Sequence, residues 1–160
     1  MKICLSEGMK RVKELNERKS VILIDELRRM QVSYKEGEQP VQVDYDYAKT
    51  REEVKSIDDE VRKIRHLTAL ANCTAMTDEG CTISEALVLL AQLNAEKVRV
   101  ERLAAAEKLT RRITPNGVLE YTVCNYDPAA AAADCAELRS RIYRLQLAID
   151  RANLNTFIEV

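Results

Sequence analysis

Apolar residues recur at steps of three and four in four long stretches of this chain, separated by segments rich in Gly, Pro, Asp and Asn. The first starts near Ser6, a residue able to cap a helix, and carries Met9, Val12, Leu15, Ile22, Leu23, Leu27, Met30 and Tyr34 before Glu36-Gly37-Glu38-Gln39-Pro40 stops it. A short extended piece follows. Asp46 then stands at an N-cap position, and Tyr47, Thr50, Val54, Ile57, Val61, Ile64, Thr68 and Ala71 alternate strictly by three and four. Those are a and d positions sustained over about 25 residues, or roughly 37 Å of helix, and such a stripe requires a partner along its length.

Past a loop around Thr77-Asp78-Glu79-Gly80, Thr82-x-x-Glu85 reads as a capping box in which hydroxyl and carboxylate satisfy each other's free amides. The third helix is expected to run from there to about Leu109, with Ile83, Leu87, Leu90, Leu93, Val100 and Leu103 apolar and Ala104-Ala105-Ala106 permitting a close neighbour. Thr114-Pro115-Asn116-Gly117, flanked by Arg112-Ile113 and by Val118 to Val123, predicts a small β-hairpin. Asp127 and Pro128 supply an N-cap and a first helical residue whose missing N–H costs nothing, and Ala131, Cys135, Leu138, Ile142, Leu145, Ile149 and Ala152 continue the heptad.

The four stretches form two copies of one unit. Leu5-Ser6-Glu7-Gly8-Met9, Leu15-Asn16 and Lys19 recur as Ile83-Ser84-Glu85-Ala86-Leu87, Leu93-Asn94 and Lys97 at an offset of 78. Val54, Ile57, Val61, Ile64 and Ala71-Asn72 recur as Cys135, Leu138, Ile142, Leu145 and Ala152-Asn153 at an offset of 81, with Tyr45-Asp46 matching Tyr126-Asp127. A repeat of this kind constrains the fold before it constrains chemistry. The expectation is a mainly α protein in which residues 1–160 form a single domain of two helix-loop-helix repeats, at about 5–74 and 82–156. The repeats would be two antiparallel, coiled-coil-like helical hairpins in a four-helix arrangement, the second carrying the β-hairpin at its tip.

Composition agrees with long packed helices: 46% of residues are hydrophobic but only 4% aromatic, with one Phe and no Trp. The 25 basic and 26 acidic side chains nearly cancel, so no global field draws in nucleic acid or an anionic membrane, and neither is an expected partner. Cys4, Cys73, Cys81, Cys124 and Cys135 are an odd set without a CxxC pair, which points to reduced thiols and a cytoplasmic location. The start of the chain offers no signal-peptide core, and no apolar run is long enough to span a bilayer.

Candidate chemistry is sparse. His66, the single histidine, lies among Arg62, Lys63 and Arg65, poor company for a metal, and reads as a surface residue. Cys73 and Cys81 flank the loop between the copies and could meet as a redox pair or half a metal site. Asp58-Asp59-Glu60 point in different directions on a helix and cannot act as a paired acid and base. Arg139, Arg141, Arg144, Arg151 and Arg111-Arg112 could meet phosphates, but acidic residues are interleaved with them. Tyr45, Tyr47, Tyr121 and Tyr126 sit beside the helix starts, where packing of the tip and ligand stacking are both open. No phosphate-binding glycine loop or GxSxG nucleophile motif occurs. No catalytic, cofactor-binding or metal-binding residue is assigned, and no cofactor is expected.

Gly37-Glu38-Gln39-Pro40, Gly80-x-Thr82-Ile83-Ser84-Glu85-Ala86-Leu87 and Ile149-Asp150-Arg151-Ala152-Asn153, in this order, resemble a small bacterial family labelled septicolysin, over nearly the whole chain. The chain departs from that pattern around Leu67 to Cys73, where the family has a more polar helix end. The family's label implies a pore-forming cytolysin, while the residues themselves suggest a non-enzymatic, homo-oligomeric helical scaffold for another protein. A thiol-dependent hydrolase or redox enzyme at Cys73 and Cys81 is the third reading.

Overall fold

The computed structural model describes residues 1–160. The chain is mainly helical, with four helices and two small antiparallel sheets. In order these are β1 (Lys2–Cys4), α1 (Leu5–Arg29), α2 (Tyr47–Thr74), α3 (Ile83–Ala104), β2 (Leu109–Ile113), β3 (Leu119–Val123), α4 (Pro128–Asn155) and β4 (Phe157–Glu159). They divide into two compact units, Met1–Asn72 with Asn153–Val160, and Cys73–Ala152.

In the first unit β1 pairs with β4, setting Lys2, Ile3 and Cys4 opposite Glu159, Ile158 and Phe157. Lys2 places its ammonium 5.2 Å from the centre of the Phe157 ring, a cation–π contact across the strands. The Leu5 N–H donates to the Thr156 carbonyl at 3.0 Å, carrying the pairing into the first turn of α1. That helix is capped by Cys4, not by Ser6: an extended backbone at Cys4 turns its side chain onto the free amides, so Ser6 falls inside the helix. Gly8 faces Ile64 of α2 and Ile158 of β4, and a Cβ there would meet both at an ordinary 3.5 Å.

Three cations of α1 find carboxylates along α2. Arg11 pairs with Glu60 at 3.0 Å, Arg18 with Glu53 and Lys19 with Asp58 at 2.7 Å. Each is at least partly exposed and adds little to stability, but together they favour one alignment of the helices. α1 ends at Arg29, short of the expected Tyr34, and Leu27 and Met30 are exposed rather than core. Likewise only Ile57, Val61 and Ile64 of the long α2 stripe are buried, whereas Tyr47 stands in solvent. Asp46 does cap α2, accepting the Lys49 N–H at 3.0 Å.

In the second unit Met76 bridges Thr82, and the Ile83 N–H donates to the Ala75 carbonyl at 3.0 Å. Thr82 and Glu85 form the expected capping box of α3. Ala86 and Leu93 of α3 are buried with Leu145 and Ile149 of α4; Val100 is buried with Ala131 and Cys135. Small side chains at Ala86 and Ala131 let larger neighbours fill the space between. α3 stops at Ala104 and Leu109 opens β2, so the helix is shorter and the hairpin longer than periodicity suggests. The hairpin sits where Pro115-Asn116-Gly117 requires, with Gly117 at a φ of +76° and its N–H on the Thr114 carbonyl at 2.8 Å. Asp127 accepts the Ala129 N–H at 3.1 Å at the start of α4, with Pro128 the first helical residue.

Candidate functional site

The residues singled out for chemistry are dispersed. His66 is exposed on α2. Asp58, Asp59 and Glu60 each take a different cation, namely Lys19, Arg62 and Arg11, so no two of them share a proton. The five cysteines are free thiols, Cys73 exposed and Cys81 half-buried against the Ala86 and Leu145 cluster with Thr77 Oγ1 3.5 Å from its sulfur. No group of three or more His, Cys, Asp or Glu side chains is placed to hold a metal ion. Of the arginines, Arg139, Arg151 and Arg112 are paired with Glu101, Asp78 and Glu120. Pairing with Arg139 holds the Glu101 carboxyl below the ordinary carboxylate range and raises the guanidinium in turn.

Grooves follow the helix pairs and are polar at their rims. One of about 240 Å³ runs over Val100 and Leu138 beneath Glu96, Asp134, Glu137, Arg99 and Arg141, a mixed rim of both signs. Another, of about 280 Å³, passes Gly8, Met9 and Val12 and ends at Asn72, whose side-chain oxygen is buried without a hydrogen-bond partner. Neither groups the acid, base and nucleophile that a reaction needs.

The two tips are different in kind: they are apolar and uncovered. Two of the tyrosines there are structural. Tyr45 donates to Glu26 at 2.5 Å, and that bond, with the nearby carboxylate charge, pushes its phenol up to about 12. Tyr126 donates to the Leu103 carbonyl at 2.9 Å, and partial burial raises its phenol. Tyr47 and Tyr121 remain exposed. Every residue of β2 and β3 is exposed, and alternation sorts them onto two faces. Leu109, Ile113, Leu119, Tyr121 and Val123 share one face with Arg111; Thr110, Thr122 and the Arg112–Glu120 ion pair occupy the other. A two-stranded sheet with an uncovered apolar face is marginal in water by itself.

At the other tip residues 31–46 belong to no helix or strand. Lys35 and Glu38 close a turn there, with Gly37 at a φ of +86°. Val41 is 72% exposed, and Val32, Tyr34 and Val43 are exposed beside it. Along the helix before it, Val21, Ile24, Leu27 and Met30 also meet solvent. Periodicity located Leu27, Met30 and Tyr34 among these but could not tell an uncovered stripe from a buried one.

A solved bacterial protein has this fold. The chain aligns with a functionally unknown conserved protein from Corynebacterium diphtheriae at a TM-score of 0.67, over 99% of this chain and 100% of that one. At 17% identity the likeness concerns architecture alone. No family profile and no curated protein matches the chain.

Proposed function

We propose that this chain is a non-enzymatic helical protein, built from two copies of an antiparallel helical hairpin in a four-helix arrangement, that self-assembles into a homo-oligomeric scaffold for another protein. The observation that carries the reading is uncovered apolar surface. The chain exposes 12091 Å². Two separate folded units of half its mass would together expose only about 9800 Å², and one monomer of its whole mass about 8100 Å². The surplus of about 2300 Å² matches what one partner contributes to an extensive permanent interface, and apolar residues of both tips are among those exposed.

The duplication is supported bond by bond. Cys4 with Glu7 and Thr82 with Glu85, 78 residues apart, form the same reciprocal cap. Asn16 and Asn94, also 78 apart, both return their side-chain amide to the carbonyl four residues earlier, at 2.7 and 2.8 Å. The Leu5 to Thr156 bond matches the Ile83 to Ala75 bond, and the Cys4–Phe157 pair matches Thr82–Met76. The chain's motifs also favour its assignment to the septicolysin family. That label raises pore formation as the other reading, although no helix is long and apolar enough to cross a membrane.

Light scattering on a size-exclusion column tests assembly: a discrete oligomer at micromolar concentration is expected, and a monomer at every concentration would overturn it. Leakage of a dye from anionic and zwitterionic vesicles at neutral pH tests the other reading, and the expected result is that the vesicles stay sealed.

A further inference from the structure

Resting on that reading of self-assembly, we infer that the contact between copies is a strand addition, in which residues 39–45 of one chain pair antiparallel with the free edge of β2 in a second copy. The edge is defined by the ladder itself. The Cys124 N–H donates to the Lys108 carbonyl at 3.1 Å and the Thr114 N–H to the Val118 carbonyl at 2.9 Å. Bonded residues alternate in an antiparallel pair, so Lys108, Thr110, Arg112 and Thr114 face β3, and the backbone groups of Leu109, Arg111 and Ile113 point away from it.

The other partner is the unpaired segment of the first tip. Residues 39–43 make no hydrogen bond within the chain and are exposed throughout. Their sequence, Gln39-Pro40-Val41-Gln42-Val43, alternates as a strand with one apolar face does, and Tyr45 continues the alternation. Only one parity of pairing suits both sides. With Val43 opposite Arg111 and Val41 opposite Ile113, the valines extend the apolar face of the hairpin, and their N–H and C=O groups meet the outward groups of β2. Pro40, which has no N–H, then falls at a position where none is needed. The Asp44 carbonyl, already accepting from Arg29 at 3.3 Å, falls at another such position. A slip of one residue would turn the valines to the polar face and strand both exceptions at bonding positions.

Charge selects this partner over a second hairpin. Residues 36–46 contain Glu36, Glu38, Asp44 and Asp46 and no cation, while residues 108–113 contain Lys108, Arg111 and Arg112 and no carboxylate. The stated register sets Asp46 opposite Lys108 and Asp44 diagonal to Arg112. Joining two β2 edges would oppose cation to cation. A third strand also gives the hairpin the support that a two-stranded sheet lacks.

Sedimentation velocity of the full chain across micromolar concentrations decides the matter. Wild type is expected to assemble, whereas Val43→Pro and Arg111→Pro, which each delete one outward N–H, should associate at least tenfold more weakly with unchanged helicity. Gln42→Pro removes an N–H that the register does not use and should assemble like wild type. Because the two surfaces differ, mixing the Val43→Pro and Arg111→Pro proteins should restore one intact contact and give a 1:1 complex. Should Arg111→Pro unfold the hairpin, Arg112→Glu takes its place, with recovery on mixing with Asp44→Lys. A wild-type monomer would overturn both self-assembly and this contact; an oligomer indifferent to Val43→Pro and to the hairpin variants, or a mixture that stays monomeric, would overturn the contact alone.

Discussion

The sulfur of Cys4 accepts the N–H of Glu7 at 3.4 Å while the Glu7 carboxylate accepts the N–H of Cys4 at 2.8 Å, so the two residues close the start of α1 on each other. A thiol sulfur is a weak acceptor. Replacing Cys4 by Ala removes it and is expected to cost about 1 kcal/mol, read as a fall of about 3 °C in Tm. Cys4→Ser keeps the geometry with a better acceptor and should melt no lower than wild type.

Gly8 offers a test of the duplication. Its counterpart under the proposed repeat is Ala86, which is fully buried, and a Cβ at Gly8 would make only ordinary contacts at 3.5 Å and beyond. Gly8→Ala should therefore fit and stabilise by about 1 kcal/mol, since a helical glycine is entropically costly. Gly8→Val overfills the same space and should lose about 1–3 kcal/mol. Urea unfolding followed by circular dichroism measures both.

Leu145 is buried with Ala86, Leu93 and Ile149. Leu145→Ala leaves a cavity there and is expected to cost about 2–5 kcal/mol, against a much smaller loss for truncating the exposed Leu154.

Much of this architecture was legible because its signals are local. Thr82 and Glu85 announce a helix start, Pro115-Asn116-Gly117 a turn, and Asp127-Pro128 the next start, each through backbone chemistry within four residues. The pairing of Lys2–Cys4 with Phe157–Glu159 was not: three-residue strands are too short to show a period, and their partners lie at opposite ends of the sequence. Cys4 was missed as a cap because sulfur seldom plays that part and Ser6 lay nearby. The tips illustrate a third difficulty. Leu27 carries the same apolar signature as Ile64, and whether such a residue is covered depends on neighbours that its own segment does not encode.

Two kinds of group, carboxyl and phenol, give the molecule opposite pH signatures. The Glu85 carboxyl is held below the ordinary range by the Thr82 N–H and hydroxyl, and Glu101 by Arg139. A depressed carboxyl stabilises the fold above its unfolded pKa, and the effect is lost as pH falls through the folded one. Helicity should therefore decline on acidification below the usual carboxylate range, and Glu85→Gln should flatten that decline. Tyr45 runs the other way. Its phenol is raised to about 12 by the bond to Glu26, so its contribution is present below the ordinary tyrosine pKa and lost as pH rises through the folded value. Ultraviolet titration should show late-ionising tyrosines, of which Tyr45→Phe or Glu26→Gln removes one and leaves the raised phenol of Tyr126.

The β1–β4 pairing places the main chain of residue 160 against that of residue 1, with the Val160 N–H on the Met1 carbonyl at 2.9 Å. Where Met76 meets Thr82 the same kind of contact is spanned by a covalent turn. The two places thus differ in whether a peptide link crosses them, not in how the backbone pairs. A short linker from residue 160 to residue 1, with a new opening between residues 78 and 80, should exchange their parts: a circular permutant with an unaltered helical spectrum, in which α3 begins the chain and α2 ends it.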